Sequence, residues 1–369
     1  MRPTYAEIDL SAVAHNIRAI KQRVHPAQVM AVVKADAYGH GVVPVARTAL
    51  ANGATYLGVA LVEEGIELRS QGFNEPILVF GGAFVEQLDD FFRHNLEITI
   101  YTREIARALS ALAKKYEHPI SVHVKVDTGM GRVGVDWTQA VDFIAALRTL
   151  PGIVVKGLYT HFATSDERNK DYAHLQLARF RQVIQQLDEN NIYIPLKHAA
   201  NSGAILDLPE TYLDMVRPGV MMYGYYPSPE TSASIPIKPA MTLKSRVLFV
   251  KDVPANTSIS YGRQYITQSP TRIATIPLGY ADGYNRLLTN QSQVTIRGQR
   301  WPIVGRVCMD LIMADVGPNS QIQAGDEVII FGRSEENAFS VSDICQLIGT
   351  IPYEVTCWVS RRVPRVYLG

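Results

Sequence analysis

From Val29 to Val216 the chain repeats one pattern: a short apolar run, a polar turn, then a helical stretch. The runs fall near Val29–Val33, Tyr56–Ala60, Ile77–Phe80, Leu96–Ile100, Ile120–Val126, Ile153–Tyr159, Ile192–Leu196 and Leu213–Val216. Between them, Thr102–Ala113 aligns Ile105, Leu109 and Leu112 on one helical face, and Asp171–Leu187 aligns Leu177, Phe180, Ile184 and Leu187. Strand and helix alternating eight times predict a closed (β/α)8 or TIM barrel, with a doubly wound open sheet as the competing arrangement. No Gly-x-Gly-x-x-Gly follows the first run, which weighs against a dinucleotide-binding version of the open sheet.

The pattern changes near Tyr226-Pro227-Ser228-Pro229. From Pro236 onward come the runs Leu243–Val250, Thr271–Ile276, Gln293–Ile296, Trp301–Val304 and Glu327–Phe331, parted by Gly, Pro, Asn and Asp. These predict an all-β domain whose sheet the strand-like start Ala6–Leu10 can join. Ser11 then caps a helix carrying Val13, Ile17 and Ile20. The expected division is therefore a barrel over 11–235 and a β domain over 1–10 and 236–369. A chain of 369 residues has room for two cores.

Composition excludes other classes. Lys and Arg number 36 against 35 Asp and Glu, with no basic block, so neither nucleic acid nor an anionic membrane is expected as partner. Met1-Arg2-Pro3-Thr4-Tyr5-Ala6-Glu7 is too charged for a signal peptide, and no apolar run matches a bilayer, which points to the cytoplasm. Cys308, Cys345 and Cys357 lack zinc-site spacing, and no metal is expected.

If the barrel closes, the residues after its strands share one mouth, where barrel enzymes place their chemistry. Lys34 ends the first run, where burial can lower the pKa of an amine and make it nucleophilic. Lys125 and Asp127 end the fifth, ahead of the turn Thr128-Gly129-Met130-Gly131-Arg132. His161 follows the sixth; His198, Asn201 and Ser202 follow the seventh; Arg217, Pro218 and Gly219 follow the eighth. Alone, each reads as a cap or a solvated strand end.

Seven islands in order make the set specific. They are Ala31-Val32-Val33-Lys34-Ala35-Asp36-Ala37-Tyr38-Gly39-His40-Gly41, Asp127-Thr128-Gly129-Met130-Gly131-Arg132, His198-Ala199-Ala200-Asn201-Ser202, Arg217-Pro218-Gly219, Ser260-Tyr261-Gly262, Gly279-Tyr280-Ala281-Asp282-Gly283 and Gly305-Arg306-Val307-Cys308-Met309-Asp310. With them the chain resembles the alanine racemases, barrel enzymes of fold type III that use pyridoxal 5'-phosphate, from Ala6 to Tyr367.

The resemblance implies interconversion of L-alanine and D-alanine, an activity that serves peptidoglycan precursor supply or alanine catabolism. Lys34 would form the Schiff base with the cofactor and act as one base. Tyr261 would be the second base, given from the neighbouring subunit of a homodimer with shared active sites. A phenol has a reference pKa near 10, about three units too high for a base at neutral pH, and His161 is the matching supporting partner. Arg217 would donate to the pyridine nitrogen; it cannot readily surrender a proton, which leaves the ring a weaker electron sink and disfavours transamination. Tyr38, Ser202, the N–H groups of Gly219 and Val220, and Tyr353 would hold the phosphate. Arg132 and the Met309 amide would hold the substrate carboxylate, with Lys125 as the position that relatives often carbamylate. Tyr280, Asp166, His198, Arg286 and Arg306 would line the access channel.

Three alternatives keep the same barrel. A racemase of wider range can differ by one or two residues. A decarboxylase would need an acid where Arg217 stands. A non-catalytic cofactor-binding protein of this kind would lack the β domain that carries Tyr261.

Overall fold

The computed structural model describes residues 2–332 and 338–369. The chain divides into two compact units: Val13–Ala37 with Val42–Ile237, and Met1–Ala12 with Tyr38–Gly41 and Lys238–Gly369.

In the first unit the strands Gln28–Val32, Tyr56–Val59, Ile77–Val79, Glu97–Ile100, Ile120–Asp127, Ile153–Tyr159, Leu196–His198 and Met215–Val216 pair in chain order, all parallel. They are barrel strands one to eight. Strand eight pairs with strand one, Met215 opposite Gln28 and Val216 opposite Val29. The seam between strands seven and eight is joined by Asp214 N–H to the Lys197 carbonyl (3.0 Å) and Arg217 N–H to the Ala200 carbonyl (2.9 Å). The barrel is the predicted fold, and the open sheet is set aside by that closure. Its strands read as continuous apolar runs because parallel sheets are covered on both faces; Val29, Leu57, Ile77, Ile98 and Val122 are fully buried. Outside lie helices such as Arg103–Tyr116, capped by Thr102, and Asp171–Glu189, which buries Leu177, Phe180 and Leu187.

Two expectations shift. Strand seven begins at Leu196 instead of Ile192 because Pro195 has no N–H to give a ladder. The first helix, Leu10–Val24, is capped two residues earlier than expected, Asp9 Oδ1 accepting from Ala12 N–H (3.0 Å) in place of a Ser11 cap.

In the second unit Tyr5–Asp9 joins the β sheet, antiparallel to Met241–Arg246 and parallel to Arg365–Leu368. The six-stranded sheet runs Gln299–Pro302, Gln293–Ile296, Glu327–Phe331, Met241–Arg246, Tyr5–Asp9, Arg365–Leu368. A three-stranded sheet holds Phe249–Val253, Thr271–Ile276 and Ile312–Asp315. The expected run Leu243–Val250 is thus split between two sheets. The expected strand Trp301–Val304 becomes Gln299–Pro302, because a two-residue turn at Arg297-Gly298, both at positive φ (52° and 75°), sets the hairpin register. Two short helices complete this β domain, Val341–Ile348 with a Ser340–Asp343 capping box and Pro352–Trp358 with proline in its first turn. Among the described residues no helix is long and apolar enough to cross a membrane.

Candidate active site

Lys34 follows barrel strand one and opens a turn of the wrong hand. Ala35, Asp36, Ala37 and Tyr38 all have φ between 52° and 54°, a left-handed helical turn built without glycine. Ala37 N–H still donates four residues back, to the Val33 carbonyl (2.9 Å). Each such residue costs about 1–2 kcal/mol against right-handed backbone, so other groups must hold the turn. Glu64 does so at one end, accepting from Ala35 N–H (2.6 Å) and, through its other oxygen, from Ala60 N–H (2.8 Å). Asp36 does so at the other, accepting from Val42 N–H (2.7 Å). The backbone beyond Lys34 is thereby fixed.

Within the barrel unit Lys34, Lys125, Arg132, His161 and Arg217 share one electrostatic neighbourhood. Burial first, then the charges of Arg132 and Arg217, push the Lys125 ammonium down to about 8, with Asp127 opposing and Lys34 adding to the shift. Burial also holds His161 well below its usual value, reinforced by Arg217, Lys125, Arg132 and Lys34. His161 is therefore neutral at physiological pH. Gln176, fully buried on the Asp171–Glu189 helix, fixes its backbone by donating to the His161 carbonyl (3.1 Å). Asp127 shapes the glycine turn, its carboxylate accepting from Gly129 N–H (2.9 Å) and Gly131 N–H (3.0 Å).

Arg217 lies deeper. Its Nη2 donates to the carbonyls of Thr160 (2.6 Å) and Ala199 (3.0 Å), and Nη1 to Nδ1 of His198 (2.8 Å). A guanidinium has five N–H donors, so these three bonds leave Nε–H and one Nη1–H for a ligand acceptor. Burial lowers the Arg217 pKa to about 10, which keeps it charged at neutral pH. The expectation that His198 lines the access channel is corrected: it is fully buried, ends strand seven, stacks on Tyr159 (centroids 4.8 Å apart) and backs Arg217. Ser202 Oγ accepts from Gly219 N–H (2.9 Å), so that amide serves the serine and leaves the hydroxyl proton to donate elsewhere. A Cβ on Gly203 would lie 2.9 Å from the Ser165 carbonyl, which is why this turn needs glycine beside Ser202.

In the β unit Tyr261 stands 70% exposed at the tip of the Ser258–Ile259 and Tyr265–Ile266 hairpin. Ser260 before it has φ 66° and ψ −177°, a region otherwise nearly reserved for glycine. The strain is held by Ser260 Oγ donating to the Arg306 carbonyl (2.6 Å) and by Gly305, where a Cβ would lie 2.8 Å from that of Ser260. Tyr280 and Met309 are exposed neighbours in the same framework, joined by Ala281 N–H to the Met309 carbonyl (3.1 Å). Sequence reasoning missed the anchor of this segment: fully buried Asp282 takes a two-pronged bond from Arg2 (2.6 and 2.7 Å) and accepts from Gly279 N–H (3.1 Å). The Tyr38 and Tyr353 rings pair at 5.9 Å. Arg286 is exposed, and Arg306 and Asp166 are half-buried.

This donor set fits pyridoxal 5'-phosphate. A lysine amine, an arginine with two N–H groups to spare and a cluster of four cations beside one carboxylate suit an aldehyde, a ring nitrogen and anionic groups. The family described as alanine racemase, N-terminal domain, matches residues 8–227, and its C-terminal domain matches 240–367. An alanine racemase of Desulforamulus reducens is 48% identical, covering 100% of this chain and 99% of its own length. The solved alanine racemase of Clostridium difficile 630 superposes with a TM-score of 0.95 at 40% identity, covering 99% of this chain and 96% of that one. A histidine racemase of Leuconostoc mesenteroides has a TM-score of 0.92 at 28% identity, covering 100% of this chain and 98% of that one. Two matched domains and near-complete overlap with these relatives show that the chain belongs to the alanine racemase family.

Proposed function

We propose that Lys34 and Tyr261, the latter supplied by a second copy of the chain, are the two bases of this alanine racemase. The enzyme is an isomerase that interconverts L-alanine and D-alanine with pyridoxal 5'-phosphate. When bound, the cofactor supplies an aldehyde that condenses with amines and an electron-withdrawing ring that acidifies the α-carbon. Lys34 Nζ then takes or returns the proton on one face of that carbon, and Tyr261 Oη does the reverse on the other. Inversion needs both, because one base on one face returns the proton whence it came.

The remaining residues bind and orient. Arg132 and the Met309 amide are proposed for the substrate carboxylate. Arg217 gives its spare N–H groups to the ring nitrogen, and Tyr38, Ser202, Val220 and Tyr353 donate to the phosphate. Gly219 joins this set through the serine its amide holds. Tyr280, Asp166, Arg286 and Arg306 are proposed for the access channel. Lys125 is proposed to react with carbon dioxide: its neutral nitrogen attacks the carbon, a proton leaves, and a cation becomes a carbamate that pairs with Arg132. We also propose that the functional domains follow the division 11–235 and 1–10 with 236–369.

One observation carries the shared-site reading: Tyr261 is 70% exposed yet aimed by a strained, hydrogen-bonded turn. Rigid exposure of a phenol suits a group meant for another subunit. The test is to mix two inactive variants, Lys34→Ala and Tyr261→Ala, and allow their subunits to exchange. A site built from two subunits regains an intact lysine and tyrosine in one of the two sites of each mixed dimer, so activity should return to about a quarter of the wild-type value. No recovery despite proven subunit exchange would sink the reading. The likeness to a histidine racemase favours one second reading, a wider substrate range. Comparing turnover of alanine, serine and histidine decides it, since a pocket wall rejects an added hydroxyl only weakly.

A further inference from the structure

Barrel interiors are ordinarily filled by layers of branched apolar side chains. Here a line of polar groups crosses the interior from one end of the strands to the other. Arg217, just past strand eight, donates from Nη1 to His198 Nδ1 (2.8 Å). His198 Nε2 lies 2.9 Å from Nδ1 of His123, at the middle of strand five. His123 Nε2 lies 2.9 Å from Oε2 of Glu97, the first residue of strand four. Glu97 also accepts from Tyr56 Oη (2.9 Å) and from Lys156 Nζ (2.5 Å), whose stem reaches the half-exposed edge of strand six. His123, His198 and Arg217 are at most 4% exposed, and Glu97 is 8% exposed.

The direction of every bond in this line is forced. Arginine can only donate, so His198 Nδ1 must be the acceptor and its proton must be on Nε2. That N–H points at His123 Nδ1, which must then accept, so His123 carries its proton on Nε2. An ionised carboxylate can only accept, and it demands the same tautomer of His123 from the opposite end. The two ends agree. A second proton on either ring would set two N–H groups against each other, at Arg217 or between the histidines. Burial, with Arg217 next for His198, accordingly holds both rings below the ordinary histidine range. For Glu97, burial opposes ionisation, but the bonds from His123 and Lys156 outweigh it and keep the carboxyl low.

We infer that Glu97 and His123 are positioning residues that act on Arg217 through His198. Together they present Arg217 with an unprotonated ring nitrogen and so decide which guanidinium N–H groups face the mouth. Without the carboxylate, His123 can carry its proton on Nδ1. His198 would then have to accept at Nε2 and carry its own proton toward Arg217. The guanidinium would meet a donor where it had an acceptor, and would turn away. This functional consequence rests on the placement of Arg217 at the cofactor ring proposed above; the tautomers do not.

The experiment is nitrogen NMR of the holoenzyme labelled in its histidine rings, with the ratio of transamination to racemisation of alanine measured in parallel. The wild-type His123 and His198 rings should both be protonated on Nε2 alone. In Glu97→Gln the His198 ring should become mixed or inverted. The transamination fraction should then rise by about tenfold, the scale on which losing the partner of a working histidine registers. Tyr56→Phe, which removes one donor but keeps the carboxylate, should preserve both tautomers, and Glu97→Asp should recover part of the wild-type ratio. A proton on Nδ1 of either ring in the wild type overturns the inference, even if Glu97→Gln does not fold. So does Glu97→Gln with an unchanged His198 tautomer, or a changed tautomer with an unchanged ratio. A wild-type protein with the expected tautomers but no racemase activity would count against the proposed function and not against the relay.

Discussion

At the scale of single residues, the barrel mouth is defined by excess positive charge. Lys34, Lys125, Arg132 and Arg217 depress one another's neighbours, and Asp127 alone among the named causes opposes them at Lys125. Lys125 is the group best placed to change sign. With its pKa near 8, the neutral amine fraction rises as pH rises through that value, and only the neutral form attacks carbon dioxide. Isotope-labelled bicarbonate should therefore give a carbamate carbonyl signal that grows from neutral to mildly alkaline pH. It should vanish in Lys125→Arg, whose guanidinium stays protonated. A signal that fell with rising pH would contradict the assignment. The candidates at the barrel mouth were legible because each ends or follows a strand, and strand ends can be read from apolar runs. His198 was misplaced for a related reason: Pro195 delays strand seven, which draws the histidine into the ladder and the barrel interior.

At the scale of elements, the two proposed bases each sit beside backbone that L-residues avoid. The turn after Lys34 is left-handed, and Ser260 before Tyr261 lies in glycine territory. Neither could be read from the chain, because the sequence there contains alanine, aspartate, tyrosine and serine where a turn rule would look for glycine or asparagine. Tertiary partners impose both conformations, Glu64 and Asp36 in one case, Gly305 and the Arg306 carbonyl in the other. Ser260→Ala loses the hydroxyl bond and keeps the strain, so it should destabilise the protein by about 1–2 kcal/mol. Ser260→Gly loses the same bond but relieves a strain of about 1–3 kcal/mol, so it should be the more stable of the two. Urea denaturation of both variants checks the order, and racemisation should fall in both as Tyr261 loses its aim.

At the scale of the whole molecule, the histidines set an acid limit. His123 is pressed by burial against Glu97, Lys156, Arg217 and the Tyr56 ring. His198 is pressed against Arg217, His123 and the Tyr159 ring, and His161 against Arg217, Lys125, Arg132 and Lys34. All three stay neutral when folded, whereas an unfolded histidine titrates near 6.5. Above that value neither state binds the proton and the stability is fully present. As pH falls below it the unfolded chain gains protons that the native rings refuse, and stability is lost. Glu97, held low in the folded state, acts in the same direction at lower pH. The unfolding free energy from urea titration should fall steadily from about pH 7 to about pH 5, at up to about 1.4 kcal/mol per ring per pH unit. A flat profile would mean that the rings take up protons when folded as readily as when unfolded. The barrel and the β domain were visible in the sequence as two textures of apolar patterning. The polar line through the barrel was not, because its members are far apart in the chain and only strand register brings them together.

The left-handed turn beside Lys34 has one stereochemical corollary. Mirror-image residues adopt that backbone without steric penalty. A semisynthetic protein with D-alanine at position 35 should therefore be more stable than the natural chain, Lys34 being followed by backbone that suits the configuration of the amino acid this enzyme forms from L-alanine.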